Sequence, residues 1–400
     1  MKLSSSNPRL WTKDFILTSS VNFFLVLIFY LLMVTIALYA GDTYGASTSE
    51  AGLVTGIFII GVLAGRLMIG RFLDRIGRKR TMVIGLALFT LTTFFYFLEL
   101  GLPFLMFNRF LHGMMLGFAA TAAGTIVAQI IPASRKGEGI GYFSLSNTLA
   151  TAIGPFIGLY MNQHASYDML FALCLACGAA SLALSFLVTV PPVEALPAKD
   201  EIKGFKLSHF VEPKAVPITM IIFIAAFCYA SVLSFISFYA VERGLVEAAS
   251  FFFIVYSIAI LFSRPFTGRL MDAKGANYVM YPAFFIFAAG LLLLSTAETT
   301  FPFLLSGFLI GLGFGNMQST SQAVAIKLTP PHRMGLATST FFIFMDAGLG
   351  FGPYLLGFII AMTGYSTMYA ILGGVVAAVP ILYYFLHGKK EHQANRLASA

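Results

Sequence analysis

Three ionisable residues lie inside long apolar stretches, where an uncompensated charge is costly. Asp346 lies in one stretch, and Arg109 and His112 lie in another, three residues apart and therefore on the same face of a helix. A carboxylate in such surroundings can carry a proton or attract a cation, and an imidazole can relay a proton near neutral pH. We therefore expect Arg109 and Asp346 to face the protein interior, where other residues can pair with them. We also expect Asp346 to bind a proton and His112 to relay one.

Each of these residues also has a simpler interpretation. Arg109 could extend toward the outer membrane surface, Asp346 could bond to hydroxyls of a neighbouring helix, and His112 could be a neutral residue in a cavity wall. Asp42 and Glu50, near the outer ends of apolar stretches, are weaker candidates for protonation.

The stretches around these residues have the length and composition of transmembrane helices. Apolar residues make up 58% of the 400-residue chain and charged residues only 10%, whereas soluble domains contain about 25% charged residues. Runs of about 20 apolar residues are long enough to cross the hydrocarbon core of a bilayer. The first run is too long for a signal-peptide core, so it is expected to be retained. The sequence predicts an all-α polytopic membrane protein with twelve spans, at approximately 15–40, 50–71, 80–99, 103–131, 138–161, 168–190, 215–241, 249–271, 276–297, 301–326, 334–362 and 365–387.

The basic residues predict the orientation of these spans. Apart from Arg109 and Arg243, the Lys and Arg residues fall at the termini, or in loops and helix ends of one face, whereas the opposite face is acidic. By the positive-inside rule both termini are cytoplasmic, in a bacterial cell membrane. The net charge of +8 follows from this topology and requires no nucleic-acid partner. The predicted cytoplasmic segments are an N-terminus at 1–14, a linker at 191–214 and a tail at 388–400.

A ten-residue motif between spans two and three occurs again, in a weaker form, 198 residues later. The first copy begins at Gly70 and the second at Gly268. Other residues recur at the same offset without any insertion, so we predict a six-helix unit duplicated in one orientation, at 15–190 and 215–387. The recurring pairs are Arg66 and Arg264, Asp74 and Asp272, Gly77 and Gly275, Gly113 and Gly311, Gly117 and Gly315, Pro132 and Pro330, Arg135 and Arg333, and Gly154-Pro155 and Gly352-Pro353.

The repeated motif predicts a conformational latch between the two halves. Its aspartate can accept hydrogen bonds from helix N-terminal amides or pair with an arginine, and its basic residues can hold carboxylates and lipid phosphates. The alternative is that these positive charges only set the topology. The predicted latch consists of Gly70, Asp74, Arg75, Gly77, Arg78 and Asp272.

Polar residues inside the spans predict a substrate cavity between the two halves. In span five, Gly154 and Gly158 form a groove for close helix packing, and Pro155 removes a backbone hydrogen bond and favours a bend. Such a helix can flex, although static packing is the simpler alternative. The predicted cavity residues are Tyr30, Asn147, Tyr229, Asn316, Gln318 and Gln322.

These motifs resemble those of the major facilitator superfamily, and specifically of its twelve-span drug:proton antiporter branch. The loop from Gly70 to Lys79 is similar to the superfamily signature. Arg109 and Gly113 resemble the arginine motif of the branch, and the residues from Gly154 to Gly158 resemble the end of its antiporter motif. The resemblance covers essentially the whole chain. It implies two pseudo-symmetric six-helix bundles and a proton-coupling role for Arg109.

The sequence thus predicts proton-coupled export of a small amphipathic molecule by alternating access, as in multidrug efflux. The alternatives are a dedicated exporter of one metabolite, such as an opine-type metallophore, a purine or a sugar, and a lipid flippase. Neither a phosphate-binding Gly-rich motif nor a metal-protease motif occurs in the sequence, so no ATP-driven pump and no enzyme is predicted. The expected partners are a small-molecule substrate, protons and membrane lipids, without a cofactor or metal, and a monomer is expected to function.

Overall fold

The computed structural model describes residues 9–46, 48–192, 210–389, 391 and 393, and over these residues the chain is helical without a β-strand. Parts of the predicted segments at 1–14, 191–214 and 388–400 lie outside the described residues. The predicted all-helical architecture is confirmed. The α-helices are α1 Lys13–Tyr44, α2 Thr48–Ile76, α3 Arg78–Phe94, α4 Leu102–Ile130, α5 Lys136–His164, α6 Tyr167–Leu187, α7 Val216–Glu242, α8 Val246–Lys274, α9 Asn277–Ser295, α10 Thr300–Ile310, α11 Asn316–Lys327 and α12 Met334–Tyr383.

Eleven helical segments of the described chain are long and apolar enough to cross a membrane. The remaining predicted span, 138–161, falls within α5, a 29-residue helix that begins with Lys136 and Glu138. The last two predicted spans fall within α12 and the π-helical segment Tyr384–Gly388 that follows it, and Gly364, with a φ of 79° and a ψ of 170°, interrupts the helical backbone of α12. Because that positive φ is accessible to glycine at little cost, Gly364 separates the two predicted spans.

The duplication visible in the sequence is also present in the packing of the helices. Gly113 of α4 lies so close to α2 that a Cβ there would overlap the carbonyl oxygen of Phe58. The equivalent Gly311 approaches α8, and its Cβ would lie 2.5 Å from the carbonyl oxygen of Tyr256. Tyr256 follows Phe58 by the same 198 residues. In each half, an equivalent glycine therefore allows equivalent helices to come into close contact.

The halves differ in the helix that carries these glycines. In the first half, α4 continues without interruption, whereas in the second half a five-residue π-helical segment, Gly311–Gly315, separates α10 from α11. This segment contains three glycines, and π-helical turns of this kind are rare and occur mostly inside α-helices. The π-helical segment was not predicted from the sequence.

Two hydrophobic clusters form the interior of the protein. One consists of residues between Val21 and Val188 and belongs to the first half. The other is centred on α7 to α12, but it also includes Val127, Ile140 and Phe143 from α4 and α5. The first half thus contributes apolar side chains to the core of the second, which helps to hold the two halves together.

One end of the molecule carries the connections α2–α3, α4–α5, α8–α9 and α11–α12, and we call it the basic face. Arg78, Arg135, Lys327 and Arg333 lie in or beside these connections. The first and second halves meet there through polar contacts that are described below.

Candidate functional site

A buried ion pair joins the two halves of the protein. Asp346 of α12 lies beside Arg66 of α2, with 3.0 Å between Oδ2 and Nε. The two side chains are 14% and 7% exposed, respectively. The Arg66 guanidinium also lies 4.2 Å above the ring of Phe342, and the hydroxyl of Ser339 donates a hydrogen bond to the Arg66 carbonyl. A charge pair and a stacked ring therefore fix α2 against α12.

The ion pair is a charge contact rather than an aligned hydrogen bond. Within the described chain, Nε and Nη1 of Arg66 and Oδ2 of Asp346 have no hydrogen-bond partner of acceptable geometry. Part of the Asp346 side chain remains exposed. Such a carboxylate can exchange its attraction to an arginine for a bound proton without loss of an aligned hydrogen bond.

Arg66 is a correction to the expectation from sequence. It was expected among the charges at the helix ends of one face, whereas the structure places it ten residues before the end of α2 at Ile76. With a rise of 1.5 Å per residue, that is ~15 Å into the helix. The signal that could have found it is its recurrence as Arg264, because two arginines at equivalent positions in apolar stretches are unusual.

Arg109 and His112 lie in a second buried group, within the first half. Arg109 is only 1% exposed, so it does not extend to the surface as its simpler interpretation required. Its Nη1 donates to the Tyr96 hydroxyl at 3.2 Å, its Nε donates to the Val54 carbonyl at 3.3 Å, and its guanidinium lies 4.2 Å above the ring of Phe58. Val54 and Phe58 belong to α2, the helix that carries Arg66.

The ring of His112 is held by hydroxyl groups on both of its nitrogens. Nδ1 lies 2.9 Å from the Tyr96 hydroxyl, and Nε2 lies 3.1 Å from the Thr93 hydroxyl. Phe89 packs against the imidazole with 4.1 Å between ring centroids. The structure therefore brings Arg109 and His112 together through Tyr96, within the first half of the protein. Their coupling role stays a prediction.

The first copy of the repeated motif connects the two halves at the basic face. Asp74 accepts a hydrogen bond from Arg78 at 2.8 Å and one from the backbone N–H of Gly335, the second residue of α12, at 3.3 Å. Arg78 also donates to the Pro331 carbonyl at 2.6 Å and to Gln129 at 2.8 Å. Burial raises the pKa of Asp74, and the nearby Arg78 opposes this shift.

The second copy makes the equivalent contact in the reverse direction. Asp272 of α8 accepts hydrogen bonds from the backbone N–H groups of Gly137 and Glu138, at the start of α5, at 2.8 and 2.9 Å. It also pairs with Lys327 at 2.8 Å. Gly335 follows Gly137 by 198 residues, so α12 and α5 are equivalent helices of the two halves. Each aspartate therefore binds the N-terminus of the equivalent helix in the half opposite its own.

The other predicted latch residues, Gly70, Gly77 and Arg75, have different surroundings. A Cβ on Gly70 would lie 2.5 Å from the Ser339 hydroxyl, so α2 and α12 touch at this glycine. Gly77 has a φ of 98° and forms the turn between α2 and α3. Arg75 is exposed in the last turn of α2. Arg269 and Arg135 add ion pairs to Glu138 at 2.9 and 2.7 Å.

The predicted cavity residues are distributed over both halves. In the first half, Asn147 accepts a hydrogen bond from Asn22 at 2.7 Å, and Tyr30 packs on Gly154. In the second half, Tyr229 stacks on Phe314 and Tyr256, with ring centroids 4.2 and 5.5 Å apart, respectively.

The three predicted cavity residues of α11 have different surroundings. Asn316 bonds to Ser263 and Thr267 of α8, so its amide connects two helices of one half. Gln318 donates to the Met345 sulfur at 3.3 Å. Gln322 faces Gly124 of α4, and its buried Nε2 has no hydrogen-bond partner among the described residues. Of the three, Gln322 is the one whose donor remains available between the halves.

The glycines of span five serve helix packing. Cβ atoms on Gly154 and Gly158 would lie 2.8 Å from the Tyr30 Cβ and 2.9 Å from the Leu31 carbonyl oxygen, both on α1. Pro155 lies inside α5 between them. The groove predicted from the sequence is therefore occupied by α1.

A further buried charge was not singled out from the sequence. Arg264 of α8 occupies the position equivalent to Arg66 and is 1% exposed. Within the described residues, Nε, Nη1 and Nη2 of Arg264 have no hydrogen-bond partner. As with Arg66, its recurrence at the 198-residue offset was the available signal.

Comparisons with known proteins agree with this architecture. The uncharacterized MFS-type transporter MJ1560 of Methanocaldococcus jannaschii is 28% identical over 357 residues, covering 87% of this chain and 91% of the relative. The uncharacterized MFS-type transporter YhhS of Escherichia coli K12 is 24% identical over 370 residues, covering 90% and 89% of the two chains.

Solved structures of low sequence identity share the fold. The crystal structure of the transporter FucP in the outward conformation matches with a TM-score of 0.75 at 16% identity, covering 94% of this chain and 99% of that one. The human organic anion transporter MFSD10 matches with a TM-score of 0.74 at 14% identity, covering 95% and 100%. The profile of the Major Facilitator Superfamily matches residues 18–345 and 246–400. The chain belongs to the Major Facilitator Superfamily.

Proposed function

We propose that this transporter exports a small amphipathic molecule in exchange for protons by alternating access, and that Asp346 carries the coupled proton. The observation that supports this proposal is the ion pair between Asp346 and Arg66, because it joins helices of opposite halves. A proton on Asp346 removes the attraction that holds α2 to α12 at this point.

The size of this effect is sufficient to bias a conformational equilibrium. Two unit charges 3.0 Å apart attract each other with about 5.5 kcal/mol at an effective dielectric constant of about 20. Partial exposure and imperfect alignment reduce the net value. Couplings of about 1–3 kcal/mol are typical of allosteric systems, so even a fraction of this attraction is enough.

We propose that the basic face is cytoplasmic, as the positive-inside rule requires. In this orientation the described conformation is closed toward the cytoplasm, since Asp74 and Asp272 each bind the start of a helix in the opposite half. Opening toward the cytoplasm separates these contacts and exposes the Asp346–Arg66 pair. The proton and the substrate would thereby alternate in their access to the same region.

Arg109 and His112 are part of the proposal as residues that act through α2. Arg109 contacts Val54 and Phe58 of that helix, and Phe58 precedes Arg66 by eight residues. A shift of α2 that follows protonation of Asp346 would alter the contacts of Arg109. Arg109 is thus a positioning residue, and its link to Tyr96 and His112 provides a polar group that can respond to such a shift.

Two other functions compete with multidrug efflux. A dedicated exporter would move one metabolite, such as an opine-type metallophore, a purine or a sugar, and a flippase would move a lipid. A compound panel separates them, because a drug exporter moves many unrelated compounds and a dedicated exporter moves one. Lipid translocation in the absence of solute transport would indicate the flippase.

The test is transport into everted membrane vesicles under an imposed pH gradient. We expect Asp346→Asn and Arg109→Ala to abolish gradient-driven flux at normal expression. Asp168→Asn, which changes an exposed acidic residue at the start of α6, is the control and should transport normally. Undiminished gradient-driven flux in Asp346→Asn would remove this residue from the coupling mechanism.

A further inference from the structure

Arg264 and Arg66 are equivalent residues with different surroundings. Arg66 contacts Ser339, Phe342 and Asp346 on α12, through its carbonyl, the face of its guanidinium and its Nε, respectively. At the same offset, α5 carries Gly141, Ser144 and Thr148. The second site has therefore kept the arginine but lacks both the stacked ring and the carboxylate.

The residues that replace Phe342 and Asp346 do not neutralise Arg264. The hydroxyls of Ser144 and Thr148 donate to carbonyl groups of their own helix, at Ile140 and Ser144. Neither carries a charge. A buried guanidinium without a counter-ion is energetically unfavourable, and an ionisable residue inside a membrane protein is therefore a candidate functional site.

The acidic residues at the contact between α5 and α8 are already paired. Asp272 follows Arg264 by eight residues, ~12 Å along α8, and binds the start of α5 and Lys327. Glu138 pairs with Arg135 and Arg269. These carboxylates hold the basic face closed, and their partners are other than Arg264.

Arg264 lies at the contact between the two halves rather than inside one half. Its Cδ lies 3.7 Å from the position of a Cβ on Gly141 of α5, in the opposite half. Tyr256 lies eight residues earlier on α8, interacts electrostatically with Arg264, and stacks on Tyr229, one of the predicted substrate residues. Phe314 also stacks on Tyr229. A guanidinium beside aromatic rings fits a ligand with an anionic group and an apolar body.

We propose that Arg264 binds an anionic oxygen group, a carboxylate or a phosphate, of the transported molecule, so that the substrate is an amphipathic organic anion. This inference rests on the proposed transport function and names its substrate class. The anionic group takes the place that Asp346 has beside Arg66. A guanidinium can hold such a group through two parallel hydrogen bonds, which distinguishes it from a neutral amide of the same shape.

The experiment measures thermal unfolding of the purified full-length protein in detergent with matched ligands. The probes are octanoate, benzoate and octyl phosphate, compared with octanamide, benzamide and octanol. We expect the anionic probes to raise the melting temperature of the wild-type protein and the neutral probes to have little effect. In Arg264→Gln, the apparent affinity for the anionic probes should fall by about tenfold or more.

A second variant tests the same site without loss of the arginine. Thr148→Asp supplies a carboxylate at the position equivalent to Asp346, so it should pair with Arg264 and abolish the stabilisation by anionic probes. Thr148→Asn has the same shape without the charge and should retain most of that stabilisation. Arg264→Lys should bind anionic probes more weakly than the wild type but more strongly than Arg264→Gln.

The outcomes are separable from those of the proposed function. If no anionic probe stabilises the wild type, if neutral probes stabilise it equally, or if Arg264→Gln and Thr148→Asp keep the anion-specific shift, the inference is wrong. Because unfolding in detergent requires no pH gradient, anion-specific binding through Arg264 can persist even if proton-driven flux proves absent. Conversely, gradient-driven flux without anion-specific binding would leave the transport proposal standing and refute the inference.

Discussion

Asp346→Asn should open the basic face of the protein. The substitution keeps the shape of the side chain and removes its charge, so Arg66 no longer has its partner across the contact between α2 and α12. Two unit charges at the observed 3.0 Å attract with about 5.5 kcal/mol at an effective dielectric constant of about 20. The pair is not aligned and the carboxylate is 14% exposed, so we expect a net loss of about 2 kcal/mol.

A loss of this size has a measurable consequence for the conformational equilibrium. About 2 kcal/mol corresponds to an approximately 30-fold change in an equilibrium constant. The state in which α2 and α12 are separated should therefore become about 30-fold more populated in Asp346→Asn. Protonation of Asp346 in the wild type should act in the same direction.

The assay follows the thiol reactivity of a cysteine placed in the closed contact. Ser339 is buried between the Arg66 carbonyl and Gly70, so Ser339→Cys reacts with a maleimide only when the contact opens. The three native cysteines are first replaced by serine. In this background the labelling rate reports the open population, and Asp346→Asn should raise it about 30-fold.

A double substitution separates the charge from the packing. Arg66→Met together with Asp346→Leu replaces the ion pair by apolar side chains, which commonly preserves or raises stability. This variant should label as slowly as the parent while failing to couple flux to the pH gradient. If Asp346→Asn labels at the parental rate, the ion pair does not hold the two helices together and the coupling mechanism built on it is refuted.

Three further predictions concern the latch, the helix packing and a buried lysine. Asp272→Asn should weaken the contact between α8 and the start of α5, which maleimide labelling of a cysteine at Gly141 would detect; a parental rate would refute this latch. Gly113→Ala should lower the melting temperature markedly, because its Cβ would overlap a carbonyl oxygen of α2, whereas Gly357→Ala, with open space around it, should not; equal effects would contradict the packing argument. Burial, with Lys327 and Arg78 nearby, lowers the pKa of Lys136 from 10.5 to about 8. Because the unfolded chain then binds more protons between these values, the stability of the wild type relative to Lys136→Met should rise from pH 8 to 10.5, by up to about 3 kcal/mol in unfolding measurements; a flat difference would exclude the shift.

The helices and their duplication could be predicted because they depend on local and periodic properties of the chain. A bilayer requires about 20 apolar residues per span, so the apolar runs along the sequence predicted the positions of the helices. Gly113 and Gly311 recur because the same helix pair must approach closely in each half, and the structure places them in equivalent contacts. Gly364 likewise lies between the last two predicted spans, 334–362 and 365–387.

The partners of the buried charges could not be predicted in the same way. Arg66 and Asp346 are 280 residues apart, and their contact depends on how the two halves approach each other. Tyr96, which connects Arg109 to His112, carries no sequence signal of this role, because an aromatic residue near a helix end is common in membrane proteins. Long-range pairing of this kind is a property of the packed molecule.

The helical architecture, the internal repeat and the resemblance to the family follow from the sequence, because they depend on the lengths of the apolar runs and on residues at a constant offset. Which charges meet depends instead on how distant helices pack. This packing pairs Asp346 with Arg66 and leaves the equivalent Arg264 without a hydrogen-bond partner among the described residues, although the two arginines are indistinguishable by position in the repeat. The physical reason is that a charge inside a membrane protein is defined by what lies within a few ångströms across a helix contact, and that neighbour belongs to another part of the chain.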